Sequence, residues 1–167
     1  KFSNHDELFD LELSDFLISS GDRNRAFPLL DSIKKGAPYY LRSSYLKFKL
    51  FTGQDDHSSL FRLCKETIEE FGHIAPFYRC YINSLFRYKE YQEILDLQNA
   101  QLAFYPNDFE AKLITAHCQL ALSKQDEVDV ESLPSCHDLI EVHHLRQLAY
   151  LYINLGLRDK LFEMPYT

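Results

Sequence analysis

Leu145-Arg146-Gln147-Leu148-Ala149-Tyr150-Leu151-Tyr152-Ile153-Asn154-Leu155-Gly156 is the stretch on which the fold turns. Its apolar residues recur at helical spacing, and the run stops at a glycine, the residue that most easily takes the left-handed backbone of a helix terminus. The same punctuation recurs upstream. Gly21, Gly36, Gly53 and Gly72 each follow a run of helical spacing. Pro38, Pro76 and Pro106 each open the next run, where a first-turn proline sacrifices no helical hydrogen bond. Working outward from these marks, the helices come in pairs: about 6–20 with 24–35, 38–52 with 57–71, and 76–88 with 90–104. A fourth pair opens at 107–123, and a fifth spans 138–155 and 158–164. Pro28 is placed in the opening turn of its helix, with Asn24 as the cap.

Internal similarity supports the pairing. Ala37-Pro38-Tyr39-Tyr40 recurs as Ala75-Pro76-Phe77-Tyr78. Twelve residues before the three helix-opening prolines stand Ala26, Cys64 and Ile94. Leu30 and Ile68 follow the first two at four residues, and Ile33 and Phe71 at seven, which makes one apolar helix face. The third copy has Gln98 and Gln101 at those places. The prolines stand 38 and 30 residues apart, and the 167-residue chain holds almost five units of their mean spacing.

Leu145-x-x-Leu148-Ala149-x-x-Tyr152-x-x-x-Gly156 resembles the first helix of a tetratricopeptide repeat. Leu13-Ser14-x-x-Leu17-x-x-x-Gly21 is similar in a weaker form, and Lys89-Glu90-Tyr91-x-x-Ile94, ending at Pro106, resembles the second helix and closing proline. In that pattern the small residue (Ala149, Ser14) admits a close neighbour and the large one (Tyr152, Leu17) fills the space beside it. The resemblance implies an all-α chain, a right-handed superhelix of about nine or ten helices in antiparallel hairpins, forming one domain over residues 1–167. An irregular helical bundle, or another helical-hairpin solenoid, would show the same periodicity.

Composition agrees with helix. Leucine occurs 26 times, valine three times and threonine four, whereas strands favour β-branched residues. Apolar types make up 46% and charged types 26%, which is globular rather than disordered. The apolar runs fall far short of the roughly 18 residues of a membrane span. The net charge of −7 argues against nucleic acid as a partner. The chain begins Lys1-Phe2-Ser3-Asn4, without an initiator methionine or an apolar leader, and reads as a processed product or a piece of a longer protein. The expected compartment is the cytoplasm, with a periplasmic or secreted location open if a leader was removed.

One segment resists the pattern. Residues 124–137 contain Asp126, Glu127, Asp129, Glu131 and Pro134 among few apolar residues, which predicts a loop or a short helix broken near Pro134. It is read as a surface insertion, or as a hinge or partner-contacting loop.

Helical-hairpin solenoids expose a groove lined chiefly by the first helix of each pair. The first such helix carries Asp6, Glu7, Asp10, Glu12 and Asp15 and no base. The second carries Arg42, Lys47 and Lys49, and the third Arg79, Arg87 and Lys89, neither with an acid. An acidic chain thus has a basic middle. Arg42, Tyr45 and Lys49 share one helix face, as do Arg79, Asn83 and Arg87, and His117 follows on the fourth pair. Together they are the candidate contacts for a protein or extended acidic peptide, with Tyr39, Tyr40, Tyr45, Tyr78 and Tyr81 supplying apolar contact. A solvated charged face is the alternative. Family members that clamp chaperone tails use a lysine–asparagine–arginine set across three repeats. Arg79 and Asn83 match part of it, but the acidic first helix does not, so such a clamp is not expected.

Other chemistry finds little support. Cys64, Cys80, Cys118 and Cys136 form no CxxC pair and read as separate, mostly buried thiols. His137, Glu141 and His144 could share a face and hold a metal, but lack a fourth ligand. No nucleophile elbow, P-loop or dinucleotide fingerprint occurs. No catalytic, cofactor or metal residue is assigned, and the expected function is a protein-binding scaffold or adaptor. The alternatives are a regulatory module of a larger enzyme, transcription regulator or secretion protein, and a small export chaperone. Self-association is a further expectation, through a short last hairpin bearing Leu157, Leu161, Phe162 and Met164.

Overall fold

The computed structural model describes residues 4–135, 142–162 and 164, and the side chains among them from residue 6 onward. Among the described residues the chain has nine α-helices and no strand. They are α1 (Asn4–Ser19), α2 (Arg23–Ser32), α3 (Tyr40–Gln54), α4 (His57–Phe71), α5 (Ala75–Tyr88), α6 (Tyr91–Phe104), α7 (Phe109–Ala121), α8 (Val142–Asn154) and α9 (Arg158–Phe162). No helix among them is long and apolar enough to cross a membrane.

The helices form two compact units, Lys1–Ser84 and Leu85–Thr167, with α5 passing from one to the other. In the first unit α1 packs on α2 and α3, α2 on α3, and α3 on α4. The links α1–α2 and α3–α4 are only a few residues long, so these sequence neighbours pack on each other directly. Leu11, Leu17, Ala26, Leu30, Ile33 and Leu50 form one core. Phe77 of α5 presses edge-on against Tyr45 and Phe48 of α3, with centroids 5.0 and 5.2 Å away. In the second unit α6 packs on α7, α7 on α8, and α8 on α9. Its core is Leu113, Ala116, Val128, Leu145, Leu148, Leu151 and Tyr152. Burying each large aliphatic side chain stabilises by about 1.5–3 kcal/mol relative to leaving it in water.

The proline-based register holds at its first position: Ala26, Cys64 and Ile94 are all fully buried. Four residues on, Leu30 and Gln98 are buried and Ile68 is half-buried, so the third copy departs in chemistry and not in burial. At the seventh position the face frays. Ile33 is buried, Phe71 is 40% exposed, and Gln101 is half-buried. Gln101 has its own reason to be polar: its Nε2 donates to Asp108 Oδ2 at 3.1 Å, while Asp108 Oδ1 caps α7 by accepting from the Ala111 N–H at 3.0 Å.

Several helix ends differ from the glycine-and-proline reading. Asp22 caps α2, accepting from the Arg25 N–H, so the helix starts one residue before Asn24. Pro28 then lies in the helix interior, beyond the unpaired first turn, on the exposed side. Gly53 does not end α3. The helix runs through it to Gln54 and stops at Asp55, which takes the left-handed conformation at φ 58°. Gly53 instead lets Arg23 approach: Arg23 Nη1 donates to the Gly53 carbonyl at 2.9 Å, and a Cβ there would lie 3.2 Å from that guanidinium. Lys89 and Ser123, after α5 and α7, also take positive φ. Gly21, Gly72 and Gly156 have the positive φ expected at a helix end, whereas Gly36, also at positive φ, lies beyond Ile33, where α2 has already ended in extended backbone.

The segment from residue 124 is a loop carrying two 3-10 turns, Gln125–Glu127 and Val130–Ser132, with Pro134 beyond the second. Val128 and Pro134 are buried, and Val130 and Leu133 pack against the second core, so this loop is anchored. Its last two residues, Cys136 and His137, lie outside the described residues.

Candidate functional site

The expected contacts fall in both units. Arg42, Tyr45, Lys49, Arg79 and Asn83 belong to the first; Arg87 and His117 belong to the second. In the first unit Arg42, Tyr45 and Lys49 are all exposed on one face of α3, because Tyr40, Ser43, Ser44, Lys47 and Leu50 take the opposite, buried face. The small Ser43 sits at the helix crossing, its Oγ donating to the Leu30 carbonyl of α2 at 3.0 Å. Tyr45 stands 41% exposed with its ring edge-on to Phe77, which braces the ring. Arg79 and Asn83 are exposed on α5.

The acidic first helix and the basic α3 meet directly. Arg42 Nη2 lies 2.7 Å from Glu12 Oε1. Lys47, counted among the groove bases, turns inward instead: it is 9% exposed, and its Nζ lies 3.1 Å from Asp31 Oδ1. Lys35 pairs with Glu70 at 3.4 Å. The basic middle is therefore partly neutralised within its own unit, and Lys49 is the α3 cation that makes no ion pair among the described residues. The tyrosine group also divides. Tyr40 is buried and stacked on Phe71, and Tyr81 is buried against Phe61 with centroids 4.9 Å apart. These two are core. Burial raises the Tyr40 phenol above its ordinary value, with the Glu66 carboxylate adding to the effect.

In the second unit Arg87 is exposed at the end of α5, whereas His117 borders a cavity of about 480 Å³. Phe86, Tyr91 and Tyr150 form its aromatic walls, and Leu120 adds an apolar patch. His117, Gln147 and Asn154 bring polar groups to it, and the exposed Arg146 brings a cation that has no ion-pair partner among the described residues. The His117 imidazole lies nearly flat on the Tyr150 ring, at 5.2 Å and 17°. His117 Nε2 and Gln147 Oε1 are both buried without a hydrogen-bond partner. Leaving such groups unpaired costs about 1–3 kcal/mol each, so native structures seldom keep two beside one cavity. Burial lowers the His117 pKa, and the Gln147 backbone acts in the opposite sense. Burial thus favours the neutral ring over the charged one.

Sequence reasoning reached His117 but not its surroundings. A signal was present: Arg146, Tyr150 and Asn154 recur every fourth residue on the face of α8 opposite Leu148, Leu151 and Tyr152. The apolar face of the same helix drew attention away from it.

The remaining candidates place as follows. His137 and Glu141 lie outside the described residues, and among those described no cluster of His, Cys, Asp or Glu could hold a metal ion. Cys64 and Cys80 are free thiols but not separate ones, being joined by a side-chain hydrogen bond that, with burial, pushes the Cys64 thiol far up. Cys118 is pushed up to about 12 by burial, so both buried thiols stay protonated and poorly nucleophilic. In the last hairpin Leu157, Leu161 and Met164 pack on the second core, leaving Phe162 as its exposed apolar residue.

Against known proteins, no family profile, no curated protein and no solved structure matches the chain.

Proposed function

We propose that the chain is a protein-binding module: a right-handed superhelix of tetratricopeptide-like hairpins, acting as a scaffold or adaptor, in which the exposed face of α3 receives an extended acidic segment of a partner. The observation that supports this reading is the alignment of Arg42, Tyr45 and Lys49 on one exposed helix face, with the tyrosine ring braced by Phe77. A braced aromatic beside Lys49, with Arg42 shared with Glu12, offers apolar contact and charge at little entropic cost. Arg79 and Asn83 extend the proposal to α5 in the same unit, and Arg87 and His117 are the contacts proposed for the second unit.

The test is Tyr45→Ser with Lys49→Glu, both exposed positions. Arg42 is left intact because it pairs with Glu12 of α1, so its loss would also alter the α1–α3 contact. Fluorescence anisotropy with a glutamate-rich peptide should show binding that weakens as salt rises and is lost in the double variant, while helical circular dichroism stays unchanged. Equal binding by the double variant would refute the α3 assignment. Affinity capture from the native source, compared between the two forms, identifies the partner.

A further inference from the structure

Cys64 of α4 and Cys80 of α5 are both free thiols, and a side-chain hydrogen bond joins them. Phe61 and Tyr81, close to them on the same two helices, touch with ring centroids 4.9 Å apart, so the thiols meet at a packed helix crossing. Both belong to the first unit. Cys64 is fully buried, as are Leu60, Leu63 and Thr67 around it on α4. Cys80 is half-buried and is the nearer of the two to solvent. The repeat equivalents of Cys64 are Ala26 and Ile94, also fully buried, so this inward position does not itself ask for sulfur. A second thiol against it brings a reaction that those two positions lack. Two sulfurs already in hydrogen-bond contact need only close to about 2.05 Å to form a disulfide. The hydrogen bond to Cys80 and burial both hold Cys64 protonated, which makes it a poor nucleophile toward an outside reagent. Toward Cys80, contact supplies the proximity that offsets this.

We infer that Cys64 and Cys80 form a reversible dithiol–disulfide site, closed across α4 and α5 by hydrogen peroxide and reopened by a thiol reductant. Cys80, nearer solvent, reacts first. Its sulfur gives an electron pair to one peroxide oxygen, the O–O bond breaks, and sulfenic acid and one water result. The Cys64 sulfur then attacks the Cys80 sulfur. The S–O bond breaks, and the departing hydroxide takes the Cys64 proton to leave as a second water. The pair of sulfurs loses two electrons, and the peroxide gains them. The site uses no residue of the α3 face, so either reading can fail without the other.

The test exposes the 167-residue chain to hydrogen peroxide in native buffer, alkylates the remaining thiols and maps the peptides by mass spectrometry. The expected product joins Cys64 to Cys80 within one chain, and dithiothreitol returns both as free thiols. Cys64→Ala, which copies the equivalent Ala26, removes the attacking thiol. It should raise capture of a Cys80 sulfenic acid by dimedone at least about fivefold. Cys118→Ala, outside the pair, should leave the disulfide yield unchanged. Circular dichroism confirms that both variants fold. Three results would overturn the inference: oxygen added at Cys80 with no disulfide, a disulfide from either residue to Cys118, Cys136 or a second chain, or both thiols still free after overnight exposure. Equal dimedone capture in the parent and a folded Cys64→Ala variant would overturn it as well.

Discussion

Replacing Leu148 by alanine tests the packing of the helix on which the fold reading rests. Leu148 is fully buried, in a core with Leu113, Ala116, Leu145, Leu151 and Tyr152. The change removes three carbon groups, at about 0.8 kcal/mol each. That alone predicts about 2.4 kcal/mol, before any cost for the space left behind. Ala116 adds no long side chain to fill the gap, and α8 is held from two sides by α7 and α9, so the site can collapse only partly. The expected loss is then about 3–4 kcal/mol, within the span seen for buried leucines. Against a total stability of about 5–15 kcal/mol, this is a large share. Ile153, 62% exposed on the same helix, is the control: Ile153→Ala should change stability by no more than about 0.5 kcal/mol. Urea unfolding is followed by far-ultraviolet circular dichroism and by tyrosine emission, the chain having no tryptophan. A loss below about 1 kcal/mol for Leu148→Ala, or an equal loss for Ile153→Ala, would mean that α8 buries another face and would refute the reasoning.

Three further outcomes follow from the geometry. Asp108→Ala should lower stability by about 1 kcal/mol or slightly more, read as a fall in Tm, because α7 loses its cap and Gln101 its partner. Gly156→Ala, at φ 72°, should cost about 1–2 kcal/mol in a urea melt, whereas Gly53→Ala, inside α3 and facing only the movable end of Arg23, should lie within about 0.5 kcal/mol of the parent. His117 has a lowered pKa in the folded chain, so the unfolded chain takes up its proton first as pH falls. Its contribution to stability is therefore complete above the unfolded value of about 6.5 and declines as pH drops from there through the folded value. His117→Phe should flatten that part of the stability–pH curve, and an unchanged slope would place the titration elsewhere.

Much of the helical layout is legible in local chemistry. Ala26, Cys64 and Ile94 were aligned by distance from the prolines, and all three are fully buried, because a repeated helix must repeat its inward position. Helix ends are less legible. Asp55, Lys89 and Ser123 take positive φ without being glycine, so a search for glycines passes over these three turns. The candidate contacts divide the same way. Periodicity places Arg42, Tyr45 and Lys49 on one face, but not the Glu12 carboxylate against Arg42, which comes from another helix. Lys47 lies on no outward face at all; its stem is covered and its ammonium reaches Asp31.

What the residues determine alone is set by neighbours a few positions apart: which stretches are helical, which face of each is apolar, and where most of the chain reverses. Those follow from the 3.6-residue period and from glycine and proline backbone limits, which need no distant partner. The tertiary structure decided everything that depends on residues far apart meeting. It set Arg42 against Glu12, buried Tyr40 and Tyr81 in the core, and brought Gln147 of α8 to the same cavity as His117 of α7. His117 and Gln147 stand on different helices that pack together, and no reading of either helix by itself brings them to one place.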